Sequence, residues 1–519
     1  MVKFLNVYSI SAFVALGGAL FGFDIASISV VVGTDQYKTF YGNPLGIIQG
    51  AITSSMAAGS IIGASLSSFL ADRFSRKVAI QLGAIVWCVG AAVQSASTGV
   101  PMLCIGRAIG GLCIGLTSAI VPIYQSEIAP RKFRGRIVSF QQFSLTLGIL
   151  VQYYVQYACS FIKSEAAFRL PWALQSVPAI ILFFGLFVLP RSPRWLANKG
   201  RWDDVLHVLA FLRTFNADIN DPLVLAEFKE IEDQVQQERV EQSNSYRELC
   251  SRKLRKRMFL AVAIQVFSQL TGTDLLVYYI VYLLSSASIQ HTLLMSSIIY
   301  ILFCVATIPS IIWTDQWGRR LSLLLGALSM SFWLYLIGGL LSRYGQSTTV
   351  QDQSYTWIIV GHPAASRCVQ ASLYLSAASF AMTWGPVSWM YPPEIMPVRV
   401  RATAVSLSTA SNWCFNYLLG FGVPSLLRMM RWRLFFLFGS LNMAAFFFVL
   451  LQVPETKQRT LEEIDEVFEY EKPLWRSLRG REHIDRLEAL ASDIREGQVQ
   501  VSVIPRAASY EQNPTCLLQ

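Results

Sequence analysis

A single carboxylate, Asp24, stands in the apolar run from Val7 to Val32, inside the stretch GGALFGFDIASIS (Gly17 to Ser29). A run of that length crosses a bilayer as a helix, since about 20 apolar residues suffice. A carboxylate at membrane depth costs about 3 kcal/mol or more, so it faces a cavity or a partner and marks a pathway. A signal peptide has a shorter apolar core and a small-residue cleavage site, which makes that reading of the run a poor one. No phosphate-binding loop, catalytic-triad signature or metal-ligand cluster accompanies Asp24, so the sequence points to no catalytic residue, no metal and no cofactor. The chemistry on offer is that of a titratable group in a membrane.

The rest of the chain must position that group. Of its 519 residues, 53% are hydrophobic and 15% charged, and the mean hydropathy is +0.43. That balance belongs to a polytopic membrane protein. The net charge of +10 does not indicate nucleic acid, because the basic residues come in short clusters between apolar runs, as cytoplasmic loops require. The nine Cys lie mostly within apolar runs without metal-ligand spacing and read as small buried hydrophobes.

The hydropathy pattern predicts twelve spans, and so an all-α membrane protein. The first six are Val7–Val32, Gly50–Leu70, Val78–Ser97, Met102–Pro122, Ile137–Ser160 and Pro171–Leu189. The others are Met258–Ser285, Leu293–Trp313, Leu321–Leu341, Cys368–Tyr391, Thr403–Val423 and Leu434–Val453. This divides the chain into an N-terminal six-helix bundle (1–193), a cytoplasmic helical linker (194–257), a C-terminal six-helix bundle (258–453) and a cytoplasmic tail (454–519) with a helical stretch at LEEIDEVF. Clusters at Arg73, Arg76 and Lys77, at Arg131, Lys132, Arg134 and Arg136, at Arg319 and Arg320, and at Arg399 and Arg401 all fall on the linker side. That places both termini in the cytoplasm. Arg428, Arg431 and Arg433 fall on the expected outer side, against the trend.

The loops echo each other in order. D72-R-F-S-R-K77 recurs as D315-Q-W-G-R-R320, E127-I-A-P-R-K-F-R-G-R136 as E394-I-M-P-V-R-V-R401, and P190-R-S-P-R-W195 more loosely as P454-E-T-K457. Matching loops in matching places imply two related bundles about a pseudo-two-fold, with a substrate site between them. Topology alone explains the Arg and Lys residues; the repeated acids suggest charge-assisted pairs that hold the cytoplasmic face shut and break when it opens. The expected gate is Asp72, Arg73, Arg76, Glu127, Arg134, Asp315, Arg319, Arg320, Glu394 and Arg401, with the pairs around Glu127, Arg134, Glu394 and Arg401 making and breaking.

With FGFD, DRFSRK, GRAIGGL, PIYQSEIAPRKFRGR, FRLPWALQSVPA, SQLTGTD, DQWGRR, TWGPVSWMYPPEI, VRATAVSLSTASNW and PETK in this order from about residue 20 to 465, the chain resembles the sugar porter family of the major facilitator superfamily. It looks most like the fungal hexose and monosaccharide transporters. The resemblance implies the major facilitator fold and alternating access. It also implies that Asp24 is the proton site and Arg107 its partner, since facilitative carriers commonly lack an acid at the first position. A carboxylate beside a guanidinium holds its charge, and takes a proton when the guanidinium moves or water is lost. A static pair that only locks two helices is the other reading of these residues.

The substrate positions implied by the family are Gln142, Gln269, Asp274, Trp389, Asn412, Trp413 and Asn416, with Phe21 and Tyr278 adjacent and Phe303 at a further site position. Amides that donate and accept suit a ring of hydroxyls, and aromatic faces suit the apolar face of a sugar. Asp274 and Phe303 depart from family asparagines. The carboxylate is open to protonation, to a donor-rich substrate, or to a role as a second titratable group. Arg191 replaces an acid of the family, and Ser75 and Gln458 replace glycines. The expectation is a proton-coupled hexose transporter, not an enzyme, acting as a monomer in the plasma membrane with sugar, protons and the lipid bilayer as its partners. The alternatives are a carrier for a pentose, polyol, cyclitol or quinate-like acid, or a non-transporting sugar sensor, for which the tail is short.

Overall fold

The computed structural model describes residues 6–31, 34–44, 46–130, 133–214, 218–240, 248–249, 251–278, 283, 292–346, 358–359, 361–457 and 468. Of the LEEIDEVF stretch expected as a helix in the tail all but Phe468 lies outside the described residues, as do Arg131 and Lys132 and the side chains of Tyr278, Arg399 and Arg428.

The first apolar run forms α1 (Val7–Val14) and α2 (Leu16–Ser29), and a short helix α3 (Asp35–Tyr41) follows. The next runs give α4 (Ile47–Phe74), α5 (Arg76–Ser95), α6 (Val100–Ile128) and α7 (Arg134–Cys159). The sixth run is divided into α8 (Ala166–Leu174) and α9 (Ser176–Gly185). Three polar helices form the linker: α10 (Pro193–Asn198), α11 (Trp202–Arg213) and α12 (Pro222–Val240). The second half holds α13 (Arg252–Leu270), α14 (Thr273–Tyr278), α15 (Thr292–Trp317) and α16 (Arg319–Tyr344). After these come α17 (Pro363–Met382), α18 (Trp384–Ile395), α19 (Val398–Met430) and α20 (Arg433–Gln452). Two two-residue strands, β1 (Gly345–Gln346) and β2 (Ile358–Ile359), pair antiparallel with Gly345 opposite Ile359.

Nine helices among the described residues are long and apolar enough to cross a membrane, against twelve runs in the hydropathy pattern. The three that fall short are α7, the α17–α18 pair and α19. These carry Gln142, Trp389, and Asn412 with Asn416. Breaks also fall within runs that read as continuous. The seventh run stops at Thr271, where Gly272 takes φ +82°, and restarts at Thr273. The tenth turns at Thr383 (φ −127°, ψ −81°) before Trp384. Neighbouring helices and side chains satisfy the freed backbone groups of such breaks: the Thr383 hydroxyl donates to the Ser379 carbonyl at 2.5 Å, and the Asn442 amide donates to the Thr271 carbonyl at 3.0 Å.

Close approach of backbones sets the spacing inside the first bundle. A Cβ on Gly111 would lie 2.0 Å from the Met56 carbonyl, and one on Gly115 2.0 Å from the Ser60 carbonyl, so α4 and α6 touch through small residues as membrane helices do. The halves then meet through α4 against α19 and α7 against α15. A two-fold that takes span two to span eight and span five to span eleven exchanges these two contacts. The linker is tied to the first half: Arg213 forks onto Glu227 at 2.6 and 2.7 Å and donates to the Ile128 carbonyl at 2.8 Å.

Candidate functional site

α2 can approach α7 because Gly22 carries no side chain; a Cβ there would lie 2.1 Å from the Leu145 carbonyl. With Gly22 turned to α7, Asp24 points to α6. The Arg107 Nη2 donates to Asp24 Oδ2 at 2.8 Å, and its Nε donates to the Ile52 carbonyl at 3.0 Å. Both side chains are 0% exposed. The contact is one-pronged: Asp24 Oδ1 and Arg107 Nη1 have no hydrogen-bond partner among the described residues. A fork-to-fork arrangement would use both oxygens. Here one oxygen is left open to a proton.

The amides expected in the second half form one connected row. Asn416 Nδ2 donates to Asp274 Oδ2 at 2.6 Å and to Gln269 Oε1 at 3.3 Å. Gln269 Nε2 donates to Asn412 Oδ1 at 2.9 Å, and Asn412 Nδ2 to Gln265 Oε1 at 2.8 Å. Gln265 Nε2 closes the row on the Ser388 carbonyl at 3.0 Å. Gln265 and Gln269 are one turn apart on α13, and Asn412 and Asn416 one turn apart on α19, so the two pairs interdigitate across the helix contact. Gln265 was not among the expected residues, although its spacing from Gln269 was the available signal.

Other expected residues meet across the two halves. Phe21 of α2 lies edge-on to Trp413 of α19 at 4.8 Å and 68°, and the Trp413 indole N–H donates to Ser118 Oγ of α6 at 3.1 Å. Gln142 of α7 packs against Gly385 of α18, where a Cβ would lie 2.9 Å from its Nε2. Trp389 is buried. Phe303 is buried and stacks on Phe380 of α17 at 6.2 Å and 16°, within an apolar cluster that runs through both halves. Tyr300, unforeseen, donates its hydroxyl to Ser29 Oγ across the halves at 3.2 Å.

At the ends nearer the linker each half builds the same knot. Arg76 binds Asp72 at 3.0 Å, Glu127 at 3.2 Å and the Ala71 carbonyl at 3.2 Å. Arg319 binds Glu394 at 2.6 Å, Asp315 at 3.2 Å and the Thr314 carbonyl at 3.3 Å. The Tyr124 hydroxyl donates to the Pro190 carbonyl at 2.7 Å as Tyr391 does to Pro454 at 3.3 Å. These ion pairs lie inside each half, and Arg401 donates to the Met396 carbonyl of its own half at 3.2 Å. The halves are tied by a different bond: Asp315 Oδ2 accepts from the Arg136 amide, in the first turn of α7, at 3.0 Å. Arg73 and Asp72 are exposed, Arg134 and Asp315 half-buried, and Arg320 buried with its Nη2 donating to the Leu450 carbonyl at 2.7 Å.

Two departures noted in the sequence are physically linked. In the second half Gly318 takes φ +87°, and the Glu455 carboxylate caps α16 by accepting from the Arg319 and Arg320 amides at 2.8 and 3.0 Å. A Cβ on Gly318 would lie 2.5 Å from Glu455 Oε2. In the first half the corresponding residues are Ser75, at φ +103°, and Arg191. With arginine in place of the acid, the cap of α5 falls to Ser75 Oγ, which accepts from the Val78 amide at 3.3 Å. A non-glycine residue at such a φ costs about 1–3 kcal/mol, and a Ser cap replaced by Gly loses only a few tenths of a kcal/mol, roughly. Ser75→Gly is therefore expected to stabilise the protein in detergent by about 1 kcal/mol. Arg191→Glu is expected to destabilise alone and to gain in the Ser75→Gly background. A double-mutant cycle on thermal unfolding reads the coupling, and additive shifts would refute it.

Helices in two six-span halves, a buried acid–base pair and an inward amide row define a transporter of the major facilitator fold. The chain belongs to the family described as "Sugar (and other) transporter", whose model matches residues 10–468. The "MFS glucose transporter mfs1" of Aspergillus flavus is 45% identical over 514 residues, covering 97% of this chain and 96% of that protein. The "High-affinity glucose transporter" of Kluyveromyces lactis is 39% identical over 478 residues, 91% of this chain and 87% of that one. A solved structure of the proton:xylose symporter XylE bound to 6-bromo-6-deoxy-D-glucose matches with a TM-score of 0.76 at 25% identity, covering 89% of this chain and 99% of that one. The family is one of transporters, not enzymes.

Proposed function

We propose that this protein is a proton-coupled monosaccharide transporter that takes hexoses and works by alternating access, as a monomer in the plasma membrane with both termini cytoplasmic. The observation that carries the reading is the Phe21–Trp413 contact at 4.8 Å. Phe21 lies one helical turn from Asp24, and Trp413 stands beside Asn412 in the amide row. A change at the buried pair therefore bears on the sugar-facing side chains through one ring contact. In this mechanism the bundles 1–193 and 258–453 rock about the row, while the linker 194–257 and the tail 454–519 stay on the cytoplasmic side. Gln142, Gln269, Asp274, Asn412 and Asn416 supply hydrogen bonds to hydroxyls; Phe21, Tyr278, Phe303, Trp389 and Trp413 supply apolar faces. The glucose transporters named above support the choice of hexose.

The test is uptake of labelled glucose into cells stripped of other sugar carriers, with a panel of hexoses, pentoses, polyols, cyclitols and quinate as competitors. Hexoses are expected to compete best, and an uncoupler to remove accumulation. Stronger competition by a cyclitol, polyol or acid than by any hexose would replace the substrate class.

A further inference from the structure

The amide row is directional. Both N–H groups of Asn416 are spent, on Asp274 and on Gln269, and the donors of Gln269, Asn412 and Gln265 all point onward toward the Ser388 carbonyl. Asp274 stands at the head of that row. It is half-buried, with Oδ2 held by Asn416, and no ion pair is recorded for it among the described residues. Helices α2, α13, α17 and α19 pack against α14. The Asn416 amide of α19 reaches it directly, with the α13 amides Gln269 and Gln265 further along the row; α19 also carries Tyr417, which stacks on Phe421. The titratable groups carried by the other two helices are engaged elsewhere: Asp24 of α2 with Arg107, and Tyr374 of α17 with the Met295 carbonyl, to which its hydroxyl donates. Cys414 and Cys368 are exposed, and Arg367 is held to the Pro363 carbonyl.

We propose that Asp274 makes the hydrogen-bond polarity of the sugar site depend on a proton. An ionised carboxylate only accepts, so a sugar hydroxyl must donate to it; the protonated acid offers an O–H and a hydroxyl can accept. An asparagine at this position offers a donor and an acceptor at every pH, which is why the replacement matters. The inference rests on the sugar-transport reading and adds a second proton-sensitive group, distinct from Asp24, that sets which hydroxyl pattern is bound. The row supports it, because both N–H groups of Asn416, the amide that holds Asp274, are already committed and cannot turn to make good a lost bond.

Deoxyfluoro sugars test this, because fluorine accepts weakly and never donates. Each monofluoro and monodeoxy glucose competes for equilibrium exchange of labelled glucose at neutral and at acid pH, and the ratio of its inhibition constant to that of glucose is recorded. At one ring position the fluoro analogue is expected to lose about tenfold to hundredfold at neutral pH, as for a hydrogen bond to a charged group, and to recover much of that loss at acid pH. In Asp274→Asn the ratio becomes independent of pH, whereas in Asp24→Asn its pH dependence survives. A ratio independent of pH in the parent, or a pH dependence that survives Asp274→Asn, overturns the proposal. If Asp274→Asn does not exchange sugar, the parent and Asp24→Asn series decide. Failure of any sugar to compete would instead remove the sugar-transport reading itself.

Discussion

Asp24→Asn is expected to abolish uphill accumulation of sugar while exchange of labelled sugar across the membrane continues. The substitution keeps size and leaves an oxygen to accept from Arg107 Nη2, which now sits 2.8 Å from Asp24 Oδ2. What it removes is the group that can carry a proton. Accumulation needs the proton gradient to bias the cycle; exchange needs only that the loaded protein reorient. The amide also leaves Arg107, 0% exposed, without an opposite charge, and breaking a buried pair by removing one partner costs about 3–5 kcal/mol. The surviving hydrogen bond offsets part of this, so a lower unfolding temperature is expected with the fold retained. The measurement is labelled glucose in cells or vesicles, with and without an uncoupler, compared with counterflow in the same preparation. Accumulation at the parent's level in the variant would end the symport reading.

Asp315→Ala is expected to bias the protein toward a state open to the cytoplasm, and to do so far more than Asp72→Ala. The two acids occupy the same place in the echoed loops, yet they act differently. Asp72 is 56% exposed at its side chain and pairs with Arg76 of its own half. Asp315 also pairs with its own Arg319, but its second oxygen takes the Arg136 amide of the other half at 3.0 Å. That amide lies in the first turn of α7, where helix donors have no internal partner. A hydrogen bond to a charged group contributes about 1.5–3 kcal/mol, so its loss shifts the open-to-closed ratio by roughly tenfold to hundredfold. Gly135 makes the contact possible, since a Cβ there would lie 2.1 Å from Asp315 Oδ1. A cysteine at Ala402, in the buried cluster that joins Ala119 and Ile123 to Val405, reports the change. Faster labelling by an impermeant thiol reagent in inside-out vesicles is expected in Asp315→Ala; equal rates in the two alanine variants would reject the asymmetry.

Much of this was legible in the chain itself. The apolar runs gave the spans, because a bilayer leaves a helix of fixed length as the way to satisfy the backbone. Asp24 stood out because charge is rare at that depth. The turn spacing of Asn412 with Asn416, and of Gln265 with Gln269, placed each pair on one helix face. The breaks at Thr271 and Thr383 were not legible, since their cost depends on groups from other helices such as Asn442.

The partners of the charges were also beyond the sequence. Reading along the chain shows that acids and bases share a helix end, and here the buried bases Arg76 and Arg319 take Glu127 and Glu394 within their own halves. Only the packing of α7 against α15 brings Asp315 to the Arg136 amide. Likewise, the sequence determined that Ser75 and Arg191 depart from their counterparts Gly318 and Glu455; the tertiary structure decided that the two departures belong together. The reason is physical. Spacing along a helix dictates which side chains share a face, whereas hydrogen bonds and steric limits act over about 3 Å, a distance that only the folded arrangement of helices can set.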